Sequence, residues 1–388
     1  MQQPNTNRIE VVDALRGFAI MSIMLLHHLE HFDFWFFPEN LPAWLKVVDG
    51  AIWKTMFFLF SGKAYTIFAL LFGFTFFIMF NKQQQNGKGF RLRFVWRMFL
   101  LLGFGFINSL FYEGDILTFY AVLGVSLVLV CKWNNKAVLI TAIILLLQPI
   151  EMFRLGYAIF HPEYTLPARM SDPLFGKIGE YLSAPSFWGM LKGNITNGKM
   201  AVIYWNWENG RIFQAPALFM LGMLLGRKGY FSTSDANQKF WKKVLFSSIA
   251  TYLILGLIAM IMKTQALTPA VSDKTFFLLG LWSNVAFTFF WVSLFYILYH
   301  KKAFSWLLQK LRPFGKMSLS NYVIQSLVGS FIYYGYGLGL YQYTGATYCL
   351  LIGIVLFVLQ LWFCKWWLSR FKQGPLEGLW HKGTWVFS

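Results

Sequence analysis

The chain has 388 residues, of which 57% are apolar and only 13% charged, with a mean hydropathy of +0.51. A soluble globular protein carries about 25% charged residues, so this composition excludes that class. The net charge is +18, which on a soluble chain would suggest a polynucleotide partner; the placement of the charges, described next, argues against nucleic acid.

Apolar runs separated by short charged loops recur along the whole chain. Each approaches the ~20 residues that cross a bilayer core as a helix. Ten spans are predicted, at about 11–31, 56–80, 94–112, 116–131, 137–158, 212–226, 244–262, 276–299, 318–340 and 347–368. The expected fold is all-α, a polytopic transmembrane helical bundle in one domain over 1–388, with both termini cytoplasmic. The first run holds Asp13 and Arg16 and lacks a small-residue cleavage site, so it reads as a retained span. With the N-terminus inside, 23 of the 34 Lys and Arg residues fall on the cytoplasmic side, joined there only by the acids Glu10, Asp13, Asp235 and Glu377. This is the positive-inside pattern of a plasma membrane protein, in a bacterium the inner membrane. It accounts for the basic balance with lipid as the partner and leaves homo-oligomerisation open.

The first span, DALRGFAIMSIMLLHH, carries the most informative polar groups. Arg16 and His27 are eleven residues apart, three turns plus about 20° on a helix, and roughly 17 Å along its axis. Asp13, Glu30 and His31 extend the same stripe, whereas His28 points about 100° away. Ionisable groups at such depth face a bundle interior or a wet cavity. A neutral imidazole can accept a proton near neutral pH, so His27 is the candidate general base. The bland reading makes Asp13–Arg16 an interfacial ion pair and His27 a structural residue.

Within FFLFSGKAYTIF, Ser61-Gly62-Lys63 either begins a span at the outer surface or lets Lys63 snorkel. Further along, RLRFVWRMF places Arg93 and Arg97 as i, i+4 neighbours at the basic surface. With Lys88 and Arg91 close by, guanidinium pairs there suit the phosphates of a soluble donor. YEGDIL forms a tight outer turn that sets Glu113 and Asp115 at an expected cavity mouth, with Asn108 deeper. The largest outer loop, 159–211, is either a lid over a site or a passive interfacial segment. FGKMSLSNYVIQS places Asn321 and Gln325 one turn apart, for helix-to-helix hydrogen bonds or a site lining. Cys131, Cys349 and Cys364 show no metal or disulfide spacing, and no metal-binding motif is expected.

These blocks resemble the YeiB-type membrane family, known as domain of unknown function 418. VVDALRGFAIMSIMLL, KAYTIFALLFGF, the RxxxR and GFINSLFYEGDILTFYAVLG block, FGKMSLSNYVIQS and GPLEGLW follow one another from end to end of the chain. That family is distantly similar to transmembrane acyltransferases, the acyltransferase-3 and heparan-glucosaminide acetyltransferase groups. The acyltransferase-3 group carries R-x10-H in its first span and RxxxR near the cytosolic face, matched here by Arg16, His27, Arg93 and Arg97. The resemblance implies transfer of an acyl group from cytosolic acyl-CoA to a glycan or small-metabolite acceptor at the outer face, without metal. In that reading Arg93, Arg97, Arg91 and Lys88 hold the donor, Arg16 guides the thioester, and Asp115 or Glu113 orients the base or acceptor. YeiB-type sequences commonly have Asn in place of His27, so His28 and His31 stand beside it as candidate bases. Transport of a small anion or lipid-linked metabolite, and a non-catalytic structural role, are the competing functions.

Overall fold

A computed structural model describes residues 9–87 and 89–386, and within them the chain is helical with no strand. The first half contains α1 (Glu10–Leu29), α2 (Ala43–Phe60), α3 (Ala64–Gln85), α4 (Arg91–Phe111), α5 (Leu117–Gly124), α6 (Ser126–Val130), α7 (Asn135–Leu146) and α8 (Pro149–Phe160). Short helices α9 (Asp172–Phe175), α10 (Ile178–Leu182), α11 (Phe187–Gly193) and α12 (Lys199–Glu208) fold the long loop. The second half contains α13 (Arg211–Arg227), α14 (Asp235–Lys263), α15 (Pro269–Tyr299), α16 (Lys302–Leu308), α17 (Arg312–Lys316), α18 (Ser318–Tyr333), α19 (Ala346–Leu368) and α20 (Pro375–Thr384).

Each of the ten predicted runs is helical, but fewer than ten helices reach the length and apolarity of a span. Among the described residues six helical stretches are long and apolar enough to cross a bilayer, with α2 and α3 counted as one. The pair α7–α8, bent by 45°, makes a seventh if taken as a single span. The other three runs form helices that fall short: α13 has 17 residues, α18 has 16, and Leu117–Val130 is shorter still. The reason is their surroundings. Ala215, Ala217, Leu218 and Phe219 of α13 are fully buried, so this helix is clad in protein and need not match a lipid thickness. It also tolerates Pro216 in its interior. α14 is the opposite case: only 6% of its apolar window is buried, and it packs along α15 with its other faces apolar and exposed.

α1 occupies the centre, with 78% of its window buried, and contacts α2, α3, α15, α17, α18 and α19. Glycines set the closest crossings. A Cβ on Gly73 of α3 would overlap the Phe219 carbonyl, and one on Gly222 of α13 would overlap the Leu70 carbonyl. Small residues of this kind let two membrane helices meet backbone to backbone. Gly315 of α17 lies in the same way against the Asp13 carbonyl of α1.

The Ser61–Lys63 stretch is a break between α2 and α3. It interrupts a 43-residue helical line from Ala43 to Gln85. Gly62 adopts φ 73° beside Asn284, and Lys63 packs its ammonium over the Phe58 and Phe287 rings at 5.9 and 5.4 Å.

The α3–α13 crossing gives a direct test. Gly222→Leu is expected to lose ~1–3 kcal/mol or more through overpacking. Gly256→Ala on α14, where a Cβ meets nothing within 4 Å, leaves stability unchanged. Thermal unfolding in detergent separates the two variants, and equal midpoints would refute the close-approach account.

Candidate functional site

Two cavities lie end to end along α1. The outer one, of about 920 Å³, is bordered by His27, Glu30, Asp33, Tyr65, Arg211 and Asn284, among others. The inner one, of about 230 Å³ and at the end of the bundle where α20 packs, is bordered by Arg16, Thr75, Arg97, Lys316, Glu377 and His381. Ile23, Ile116 and Tyr322 border both. The polar face of α1 therefore serves both spaces, with Arg16 in one and His27 in the other.

In the inner cavity Arg16 donates to Asp13 Oδ1 at 3.1 Å and to the Thr75 hydroxyl. Arg97 stacks on the Trp380 ring at 3.5 Å and donates to Thr384 Oγ1 at 3.2 Å, while its buried Nε has no hydrogen-bond partner. Arg93 does not border this space: its guanidinium lies over Trp385 at 4.1 Å. Arg91 is exposed at the start of α4 and is likewise off the cavity. Lys88 lies outside the described residues. Both expected Arg neighbours are thus held by indoles, Trp380 of α20 and Trp385 just past its end; the sequence reading did not foresee this helix. The same helix presents Glu377 to the start of α18, where its carboxylate accepts from the backbone N–H of Leu319 (2.7 Å) and Ser320 (3.1 Å) and from Ser320 Oγ (2.6 Å). The first N–H groups of a helix are unpaired within it and carry the positive end of its dipole. Glu377 satisfies them from 58 residues away. His381 is held below its usual pKa by partial burial and by the charges of Arg97 and Lys82.

In the outer cavity the His27 ring sits among Tyr112 (4.7 Å), Phe32 (5.5 Å) and Tyr322 (6.2 Å), and its Nδ1 is buried without a partner. Helical extrapolation holds to Glu30 and then fails. α1 ends at Leu29, and His31, Phe32 and Asp33 take φ of 49°, 58° and 65°. This left-handed turn, uncommon for side-chain-bearing residues, swings Asp33 into the cavity opposite the Tyr112 hydroxyl. His31 goes the other way: Nε2 donates to the Thr344 carbonyl at 2.9 Å and lies 3.1 Å from Cys349 Sγ. His28 pairs through Nδ1 with the Tyr333 hydroxyl at 2.9 Å. Neither borders a cavity, so neither is placed to serve as the base; both tie α1 to the α18–α19 region.

Glu113 and Asp115 also depart from expectation. Both are fully buried and turn from the cavity mouth into protein. Asp115 accepts from Asn108 Nδ2 at 3.0 Å and from the Thr118 backbone N–H at 2.9 Å, capping α5, and lies 3.7 Å from Lys199 Nζ. Asn108 is thereby a structural partner of Asp115. Glu113 packs against Gly198, just before α12. Asn321 donates to the Phe314 carbonyl at 3.0 Å, the helix-binding use expected of it. Gln325 is buried off both cavities with no hydrogen-bond partner.

The sequence reading missed Arg211, Asp33, Tyr322 and Lys316. Arg211 is held between the rings of Trp205 (4.0 Å) and Tyr65 (4.2 Å), within electrostatic reach of Glu30 and Asp33. The run YWNWENGR, aromatic and then basic, was the available signal. The 159–211 segment borders the outer cavity through α9, α10 and α12. It is pinned by Glu208, which accepts from the backbone N–H of Met170 (2.6 Å) and from Ser171 Oγ (2.5 Å). Partial burial opposes its ionisation, but these bonds and Arg169 hold Glu208 below the usual carboxylate range.

Fold and site together define a polytopic helical membrane protein whose first helix carries a polar face into two adjoining cavities. The chain belongs to the family described as Protein of unknown function (DUF418), whose profile matches residues 225–387. It is 30% identical to the uncharacterized protein YxaH of Bacillus subtilis (strain 168), over 100% of this chain and 96% of that one. It is 25% identical to an uncharacterized 39.9 kDa protein in the amylase 3' region of Bacillus acidopullulyticus, over 97% and 94% of the two chains. It is also 25% identical to the uncharacterized protein YeiB of Escherichia coli (strain K12), over 96% and 95%. No solved structure matches the chain at a significant level.

The buried Asp115–Lys199 contact generates a prediction. Lys199→Met removes the cation beside a fully buried carboxylate, which is expected to cost about 3–5 kcal/mol. Adding Asp115→Asn recovers most of that loss. Unfolding midpoints in detergent report both, and a double variant no more stable than Lys199→Met would count against the pair.

Proposed function

We propose that the protein transfers an acyl group across the membrane, from a soluble acyl-CoA at the basic end to an acceptor in the outer cavity. The observation that carries this reading is the sharing of one helix face: Arg16 borders the inner cavity, His27 the outer, and the two spaces have a wall in common. The basic end is cytosolic by the distribution of its Lys and Arg residues. There Arg97 and Lys316, with Arg16 beyond, suit an anionic donor, and the unpartnered Arg97 Nε is a donor ready for a phosphate oxygen. A space of about 230 Å³ is below the ~300–1,000 Å³ of pockets that enclose drug-sized ligands. It takes the thioester arm and leaves the nucleotide at the basic surface.

In the outer cavity His27 removes the proton from the acceptor hydroxyl or amine. The acceptor oxygen or nitrogen then bonds to the thioester carbonyl carbon, the carbon–sulfur bond breaks, and the CoA thiolate leaves. Glu30, Asp33 and Arg211, which border the same cavity, orient the acceptor. No second histidine borders the site, which favours His27 over His28 and His31 for this role.

A second reading has support of its own. The helix break at Ser61 and Gly62 borders the outer cavity, and discontinuous helices at mid-depth are characteristic of transporters. In that case Arg16 and His27 line a solute path.

Binding of labelled acetyl-CoA and longer acyl-CoAs to purified protein decides between them. Arg97→Ala is expected to weaken binding about tenfold or more, from loss of ~1.5–3 kcal/mol of charge-assisted hydrogen bonding. Arg93→Ala has a smaller effect, and His27→Ala retains binding but loses transfer. Solute accumulation in proteoliposomes without chemical change, and no acyl-CoA binding, would overturn the acyl-transfer reading.

A further inference from the structure

We infer that Tyr322 is the seal between the two sides of the protein, a single side chain whose displacement joins the inner and outer cavities. Among the described residues, Ile23, Ile116 and Tyr322 border both spaces. Tyr322 is the largest of them and is 2% exposed. Its hydroxyl oxygen accepts from the Ile116 backbone N–H at 3.2 Å, which holds the ring against the turn between α4 and α5. The other face of the wall is the Ile23 side chain on α1. The residues common to the two spaces are therefore two isoleucines and a ring.

Its position also couples it to the inner cavity. Tyr322 lies one turn into α18, directly after the Leu319 and Ser320 amides that Glu377 holds. Glu377 itself borders the inner cavity. A group bound there meets the residue that anchors the base of the helix carrying the seal. The inference rests on the cavities and holds whether an acyl group or a whole solute passes.

The test uses full-length protein in proteoliposomes with an entrapped pH-sensitive dye, an imposed pH step, and valinomycin with potassium to balance charge. Wild type and Tyr322→Phe are expected to hold the gradient, because the ring is kept. Tyr322→Ala is expected to collapse it several-fold faster. An independent readout is an Ile20→Cys thiol in the inner cavity, probed by a charged membrane-impermeant thiol reagent added from the side of the outer cavity. It stays unlabelled with Tyr322 in place and is labelled with Tyr322→Ala. Should Tyr322→Ala fail to give monodisperse protein, Ile23→Ala/Ile116→Ala opens the same wall from its other side. A tight membrane and an unreachable thiol in a folded wall variant would overturn the proposal, as would a wild type that leaks as fast as the variant. Neither result depends on acyl-CoA binding, so failure here is distinct from failure of the transfer reading.

Discussion

A helix that carries Asp13, Arg16, His27 and Glu30 on one face cannot present that face to lipid. A charged group at the bilayer centre costs at least ~2.5–3.5 kcal/mol by insertion measurements, and four on one stripe compel burial. The architecture follows from this. α1 is sheathed by six other helices, and its glycine-lined approach to α17 closes the basic end. A helix clad in protein, such as α13 against α3 and α7, is released from matching the bilayer and is short. Helices outside the sheath, such as α14, are long and apolar all round. Arg16 and His27, on the polar face of α1, border the two cavities.

How much of this was legible in the sequence depended on range. The shared face of Arg16 and His27 is a property of one regular helix, and it holds as far as that helix does. His31 fell off the stripe because three successive left-handed residues end the helix, and no local pattern in LEHFDF announces them. Arg93 and Arg97 are neighbours as their spacing requires, yet their direction is set by Trp385 and Trp380, nearly three hundred residues later. The YEGDIL acids were read as facing out because a turn between two spans is usually wet. The long loop folds back over that turn and supplies Lys199, so Asp115 is interior. Fewer than ten helices are long and apolar enough to span for a related reason: length and hydropathy report on lipid contact, and a helix enclosed by protein, such as α13, is held to neither.

In the outer cavity the Arg211 guanidinium, within electrostatic reach of Glu30 and Asp33, is fixed between two aromatic rings. Stacking orients Arg211 without using its hydrogen-bond donors. Its N–H groups remain available to Glu30, Asp33 or an incoming ligand. The inner cavity repeats the device with Arg97 and Trp380. Both spaces thus hold a cation whose orientation is set by ring contact and whose donors are left for other partners, a suitable arrangement for binding without prior rearrangement.

The C-terminal helix α20 deserves a temporal reading as well as a spatial one. It caps α18, stacks on Arg97 and walls the inner cavity, yet it follows all of those elements in the chain. During synthesis α4 and α18 are inserted before the segment that finishes them exists. The bundle must therefore wait, with the base of α18 uncapped and the basic pocket unroofed, until α20 docks. Assembly of the inner cavity thus comes after insertion of α4 and α18, so a chain interrupted before Gly374 would keep those helices but lack the wall that α20 supplies.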